Sequence, residues 1–154
     1  MTDLQAAIGT EQIKKLPDFV ETRRSNYNYL LKNLEPVSRF LKLPIATDHS
    51  NPSWFGFLMA LRPGIDPKFT RDGLVAELEG ARIQTRMLFA GNLLRQPLFT
   101  EMRESGRGYR QVGALPNTDF LMNHALLVGV YPGMTKRHLD HMVGTIKRYF
   151  QGSD

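Results

Sequence analysis

Arg86-Met87-Leu88-Phe89-Ala90-Gly91-Asn92-Leu93-Leu94-Arg95-Gln96-Pro97 closes one strand pattern and precedes a new helical one. Just upstream, Ile83, Thr85 and Met87 alternate with Arg82, Gln84 and Arg86 across residues 81–88. That is the period of a half-exposed strand. The stretch then sets two arginines, an amide and an aromatic around Gly91. This composition suits a strand end that opens into a binding loop. Arginine offers a planar fork of donors matched to phosphate or carboxylate. Gly91 permits a tight turn or a close backbone approach, and Pro97 makes continued strand pairing unfavourable. The plain counter-reading is a surface loop with solvated arginines.

Two further apolar strands flank this one in sequence. Residues 53–61 (Ser53-Trp54-Phe55-Gly56-Phe57-Leu58-Met59-Ala60-Leu61) are apolar nearly throughout and stop at Pro63-Gly64. They read as a strand covered on both faces. Trp54, Phe55 and Phe57 are either core or the wall of a pocket at the strand entrance. Leu126 to Val130 is a buried strand ended by Tyr131-Pro132-Gly133. Between Pro36 and Pro52 the chain is loop-like, with a short extended piece at Phe40 to Leu43.

Helices complete the pattern. Residues 2–15 open on Thr2 and Gln5, the two positions of a capping box. Pro17 either kinks one long helix or begins a second, which runs to residue 34. Residues 70–79 form a helix capped by Thr70, with Gly80 as its expected left-handed stop. Leu98, Phe99 and Met102 suggest a helical turn in an otherwise polar, glycine-broken and mobile loop over 98–113. Residues 116–124 form a helix capped by Asn117 or Thr118. The last helix, Thr135 to Phe150, carries an apolar stripe of Leu139, Met142, Val143, Ile146, Tyr149 and Phe150. His138 and His141 lie three apart on it. With no third ligand in view they read as solvated histidines rather than a metal pair. The order predicts an α+β domain: a small, mostly antiparallel three-stranded sheet with helices packed on it.

Composition narrows the function. The 154 residues suffice for one domain with a real core, and 42% apolar with 23% charged residues is ordinary for a globular protein. No apolar run reaches the roughly 18 residues of a membrane span. Met1 to Gln5 lack the basic-then-apolar pattern of a signal peptide. There are no cysteines, so disulfides, thiolate metal sites and cysteine nucleophiles are excluded. A cytoplasmic location is expected. The net charge of +5 is spread out, with no block of like charge of the kind that marks a nucleic-acid arm. An Arg/Gly/Tyr segment at 103–110 can stack on bases, but it is short, and neither a nucleic-acid nor a membrane role is expected. No nucleophile motif, phosphate loop or carboxylate cluster is present. Asp119 reads as a cap. The chain is expected to complete a site rather than house one.

Several phrases together resemble the DegT/DnrJ/EryC1/StrS family of pyridoxal-phosphate-dependent sugar aminotransferases and dehydratases. They are Met1-Thr2-Asp3-Leu4-Gln5-Ala6-Ala7-Ile8-Gly9, Gln12-Ile13-Lys14-Lys15-Leu16, Ser53-Trp54-Phe55-Gly56-Phe57, the 86–97 stretch, Asn117-Thr118-Asp119 with Met122-Asn123, and Gly129-Val130-Tyr131-Pro132-Gly133. Within the family they are most similar to lipopolysaccharide-type CDP-4-keto-6-deoxyglucose 3-dehydratases. The resemblance implies a fold type I small domain: residues 1–34 lead into it and residues 35–154 form it. The large domain, with the cofactor site and the catalytic base, is not represented by any motif here. PLP or PMP would then act in the full-length enzyme, none is expected on this chain, and this chain alone should be inactive. The family chemistry is loss of the C3 hydroxyl, with the cofactor as electron sink. The resemblance assigns no catalytic residue here. It places Arg86, Asn92 and Arg95 on the cleft of a nucleotide-diphosphate sugar, with Phe55, Phe57 and Phe89 as apolar walls. A homodimer is expected, and a reductase partner is possible in this chemistry. Phe120 departs from the dehydratase pattern, which has arginine there, so a family member of another specificity stays open; because the resemblance puts the catalytic base outside this chain, an aminotransferase of the same family stays open as well. So does a non-catalytic, dimerising binding module that buries the apolar face of the first helix.

Overall fold

The computed structural model describes residues 2–152. Ten elements follow in order: α1 (Asp3–Ile13), α2 (Leu16–Leu34), β1 (Leu41–Lys42), β2 (Gly56–Leu61), α3 (Arg71–Gly80), β3 (Thr85–Arg86), α4 (Thr100–Ser105), α5 (Pro116–His124), β4 (Ala125–Gly129) and α6 (Lys136–Gln151). Short 3-10 turns at Glu35–Val37, Leu93–Arg95 and Pro97–Phe99 join them.

The sheet has four strands, not the three expected, in the order β1-β2-β4-β3, and every pairing is antiparallel. The added strand is β1, from the extended piece at 40–43. Leu41 pairs with Leu61 and Lys42 with Ala60. Pro44 stops it after two paired residues, too few to show an alternation. β3 is shorter than the 81–88 pattern. Its first residues turn off α3 instead, with Ala81 N–H donating to Glu77 O, Arg82 to Glu79 O and Ile83 to Leu78 O. The left-handed residue in that turn is Arg82 (φ 62°), not Gly80, which stays helical.

Register sorts the two faces. Phe57 faces Val128, which faces Thr85; Met59 faces Leu126; Leu61 faces Leu41. These side chains meet Tyr27, Leu30 and Leu34 of α2, Leu74 and Leu78 of α3, and Leu139, Met142, Val143, Ile146 and Phe150 of α6 in one core. Leu58, Leu127, Arg86 and Lys42 point the opposite way. There Lys42 Nζ lies 4.8 Å over the Phe120 ring, so α5 sits on this second face. Phe120 in turn stacks on His124, with centroids 4.7 Å apart.

The capping box at Thr2 forms: Thr2 N–H donates to Gln5 Oε1 at 2.9 Å and Gln5 N–H to Thr2 Oγ1 at 3.4 Å. Pro17 begins a second helix, as α1 ends at Ile13. α1 buries nothing, and Leu4, Ile8, Ile13, Leu16 and Phe19 along α1 and the start of α2 are 44–74% exposed. α5 starts earlier than the expected caps. Leu115, left-handed at φ 55°, precedes Pro116, and neither Asn117 nor Thr118 caps. Proline supplies a helical φ at the first position without an N–H to satisfy, so no side-chain cap is needed. The two histidines of α6 stay exposed but are bonded: His138 Nδ1 accepts from Thr135 N–H at 3.1 Å, and His141 Nε2 donates to Ala81 O at 2.9 Å.

Candidate functional site

The 86–97 loop runs from the edge strand β3 and lies against α5. Gly91 has φ 69°, and a Cβ there would sit 2.8 Å from Met122 Cγ. Glycine is therefore required twice over, by its backbone and by the space. Gly91→Ala is expected to cost on the order of 1–3 kcal/mol in thermal or urea unfolding. An unchanged midpoint would show that the loop does not pack on α5.

Asn92 follows and is nearly closed off, 5% exposed. Its Oδ1 accepts from Leu94 N–H at 3.1 Å, and its Nδ2 donates to Asp119 Oδ1 at 2.7 Å. Its own N–H meets Met122 Sδ at 3.3 Å. Arg95 lays one edge of its fork on the same carboxylate: Nε to Oδ1 at 3.3 Å and Nη2 to Oδ2 at 3.1 Å. Nη1 is not part of that pair. Gln96 Nε2 closes the loop on Ala90 O at 2.9 Å, and Arg103 Nη1 holds Leu94 O at 2.8 Å. From the other side, Arg71 Nη1 donates to Met122 O at 2.6 Å and ties α3 to α5. The loop is thus a braced shelf with an arginine edge turned outward.

Sequence reasoning gave Asp119 only a capping role. In the structure it is the hub that holds both Asn92 and Arg95. The signal was faint, because the two partners lie 27 and 24 positions away. Glu79 was also unassigned. It accepts from Thr85 N–H at 2.6 Å and Thr85 Oγ1 at 2.8 Å, fixing the start of β3.

Hydrogen bonds from Arg95 and then from Asn92 hold the Asp119 carboxyl below its ordinary value of 3.8. Hydrogen bonds from the Thr85 backbone and side chain lower Glu79 in the same sense. A depressed folded-state value means the contribution is present above the unfolded value and is lost as pH falls through the folded one. The loop is therefore expected to loosen only below about pH 4. Amide exchange of residues 91–96, followed from pH 7 downward, checks this. Loosening between pH 5 and 7 would contradict it.

The remaining expected site residues divide. Arg86 sits on the second face of the sheet, its Nη1 donating to Thr85 O at 3.0 Å. With its amide oxygen toward the guanidinium, Gln84 accepts from Arg86 Nη2 at 2.8 Å and Nη1 at 3.0 Å. Phe89 and Phe55 are 97% and 83% exposed. Phe57 is a correction: it is fully buried, tilted against Tyr27 at 5.1 Å, and has no surface with which to wall a cleft. Strand alternation accounts for the difference, since Phe57 points to the helices whereas Phe55 lies before the first paired residue.

Among the described residues no three His, Asp or Glu side chains gather as a metal site. Six of the seven lysines are exposed and Lys147 is half-exposed, so none is enclosed as a Schiff-base lysine requires. No helix among the described residues is long and apolar enough to cross a membrane.

The fold is an α+β domain with an arginine-bearing loop braced from behind by Asp119 of α5. The chain belongs to the DegT/DnrJ/EryC1/StrS aminotransferase family, which it matches over residues 1–147. It is 45% identical over 152 residues to the lipopolysaccharide biosynthesis protein RfbH of Salmonella typhimurium, covering 97% of this chain and 33% of that protein. It is 42% identical over 148 residues to the dTDP-4-dehydro-2,6-dideoxy-D-glucose 3-dehydratase of Saccharopolyspora spinosa, covering 96% and 30%. Two solved structures of GDP-4-keto-6-deoxymannose 3-dehydratase, one from E. coli with bound hydrated PLP and one with bound GDP-perosamine, each share 28% identity and a TM-score of 0.75 over 91% of this chain and 34% of theirs. The chain thus spans about a third of the length of the relatives it matches.

Proposed function

We propose that this chain is the small domain of a PLP- or PMP-dependent nucleotide-sugar 3-dehydratase that acts in deoxysugar and lipopolysaccharide biosynthesis. The observation that carries the reading is the 42% identity over 148 residues to a nucleotide-sugar 3-dehydratase. Residues 1–34 would link to the large domain, and residues 35–154 would close over the substrate. A homodimer and a CDP-linked 4-keto-6-deoxyglucose substrate belong to the same proposal, the latter on the resemblance of the 86–97 and 117–123 phrases.

This reading places the cofactor site on the large domain, so no step of the reaction is assigned to the residues of this chain. Their part is binding. Arg95, fixed by Asp119, would present its fork to the diphosphate. Arg86 would add a second cation, and exposed Phe55 and Phe89 would exclude water from the sugar. Phe120, stacked on His124 under Lys42, is a packing residue of the second sheet face. It offers no donor where the dehydratase pattern has arginine, so this enzyme would hold its sugar with one contact fewer there.

Arg95→Ala in the full-length enzyme tests the assignment. Loss of a charge-assisted contact should raise KM for the nucleotide sugar by about tenfold or more. An unchanged KM would remove Arg95 from the site.

A further inference from the structure

A second cavity lies away from the 86–97 loop. It is bounded by α2, the 38–54 segment and the end of β2, and measures about 500 Å³. That volume is within the range of small-molecule sites, roughly 300–1,000 Å³. Two cations line it, Arg24 and Arg62, and no carboxylate does. Each guanidinium is tied on one side to a backbone carbonyl: Arg24 Nη2 donates to Asn51 O, and Arg62 Nε donates to Ser38 O at 2.7 Å. Both forks are held in place with donors to spare.

Polar atoms are also buried behind this wall. Arg24 Nε and the Tyr27 hydroxyl are closed from solvent without any partner. Tyr27 is 4% exposed and lines the cavity. Beside Trp54, the Ser53 hydroxyl is buried and unpartnered as well. Native proteins seldom leave such groups unpaired. Burial pushes the Tyr27 phenol up to about 12, so it stays a donor throughout the neutral range. The remaining wall is apolar, with Leu31, Leu43 and Trp54, the last stacked on Tyr27 at 5.3 Å.

We propose that this cavity binds a small organic phosphate, its acid group on Arg24 and Arg62 and its apolar body against Trp54. One guanidinium comes from α2 and the other from just past the end of β2, with no carboxylate among the lining residues. That arrangement suits the three oxygens of a phosphate better than the flat edge of a carboxylate. The site shares no residue with the 86–97 loop.

Trp54 is the only tryptophan in the chain and supplies the readout. The purified chain is titrated with phenyl phosphate while tryptophan emission is followed. The expected result is a saturable change that benzyl alcohol does not produce. Arg62→Ala, at an exposed residue, should weaken binding about tenfold. Arg137→Ala, on the outer start of α6, should leave it unchanged. Three results would overturn the proposal: no saturable change, a change that Arg62→Ala leaves intact, or phenylacetate binding as tightly as phenyl phosphate.

Discussion

Phe57→Ala is expected to lower the stability of this domain by about 3–5 kcal/mol, the cost of a large buried aromatic replaced by a cavity. Phe57 has no exposed surface and touches Tyr27, with Val128 opposite it in the ladder. The sheet around it has only four strands, so little can collapse into the gap. The control is Phe55→Ala, two residues away and 83% exposed. It should change stability by under about 0.5 kcal/mol. Urea unfolding of both variants separates a core residue from a surface one. Equal midpoints would mean that the β2 register given above is wrong.

Asn92→Ala should have the next largest effect, about 1–3 kcal/mol. The truncation leaves the Leu94 N–H without its acceptor and removes one of the two donors to Asp119 Oδ1. The 91–96 segment then loses its inner anchor while Arg95 keeps its ion pair. Hydrogen exchange should therefore rise across residues 91–96 and stay level in β2 and β4. Uniform loosening of the whole domain would contradict a local role.

Much of this fold was legible in the chain. The capping box at Thr2, the proline break at Pro17, the apolar run of β2 and the stripe of α6 are local signals, and each became the element it predicted. β1 was legible as an extended piece at 40–43 but not as a strand of the sheet, because two paired residues before Pro44 carry no periodicity and the partner of Leu41 is the distant Leu61. The Gly80 stop failed for a related reason. The α3 terminus is set by bonds reaching to Ile83 and by His141 arriving from α6, neither of which is written near residue 80. In the site, the arginine, amide and glycine of the loop were visible, while the carboxylate that organises them was not. Asp119 sits on a helix that folds back from 27 positions beyond Asn92, and its sequence neighbourhood suggests only a cap. Phe57 and Phe55 looked alike as aromatics at a strand entrance, and only the position of the first paired residue separates them.

The most direct test of the account is a chimera. The matched third of the Saccharopolyspora spinosa dehydratase is replaced by this chain, and the purified protein, loaded with PLP or PMP, is offered CDP-4-keto-6-deoxyglucose and dTDP-4-dehydro-2,6-dideoxy-D-glucose. Mass spectrometry of the sugar reports the outcome. Loss of the C3 hydroxyl from either substrate, weakened by Arg95→Ala, is the predicted result. A folded chimera that holds its cofactor and consumes neither substrate would contradict the assignment of this chain as a nucleotide-sugar 3-dehydratase domain.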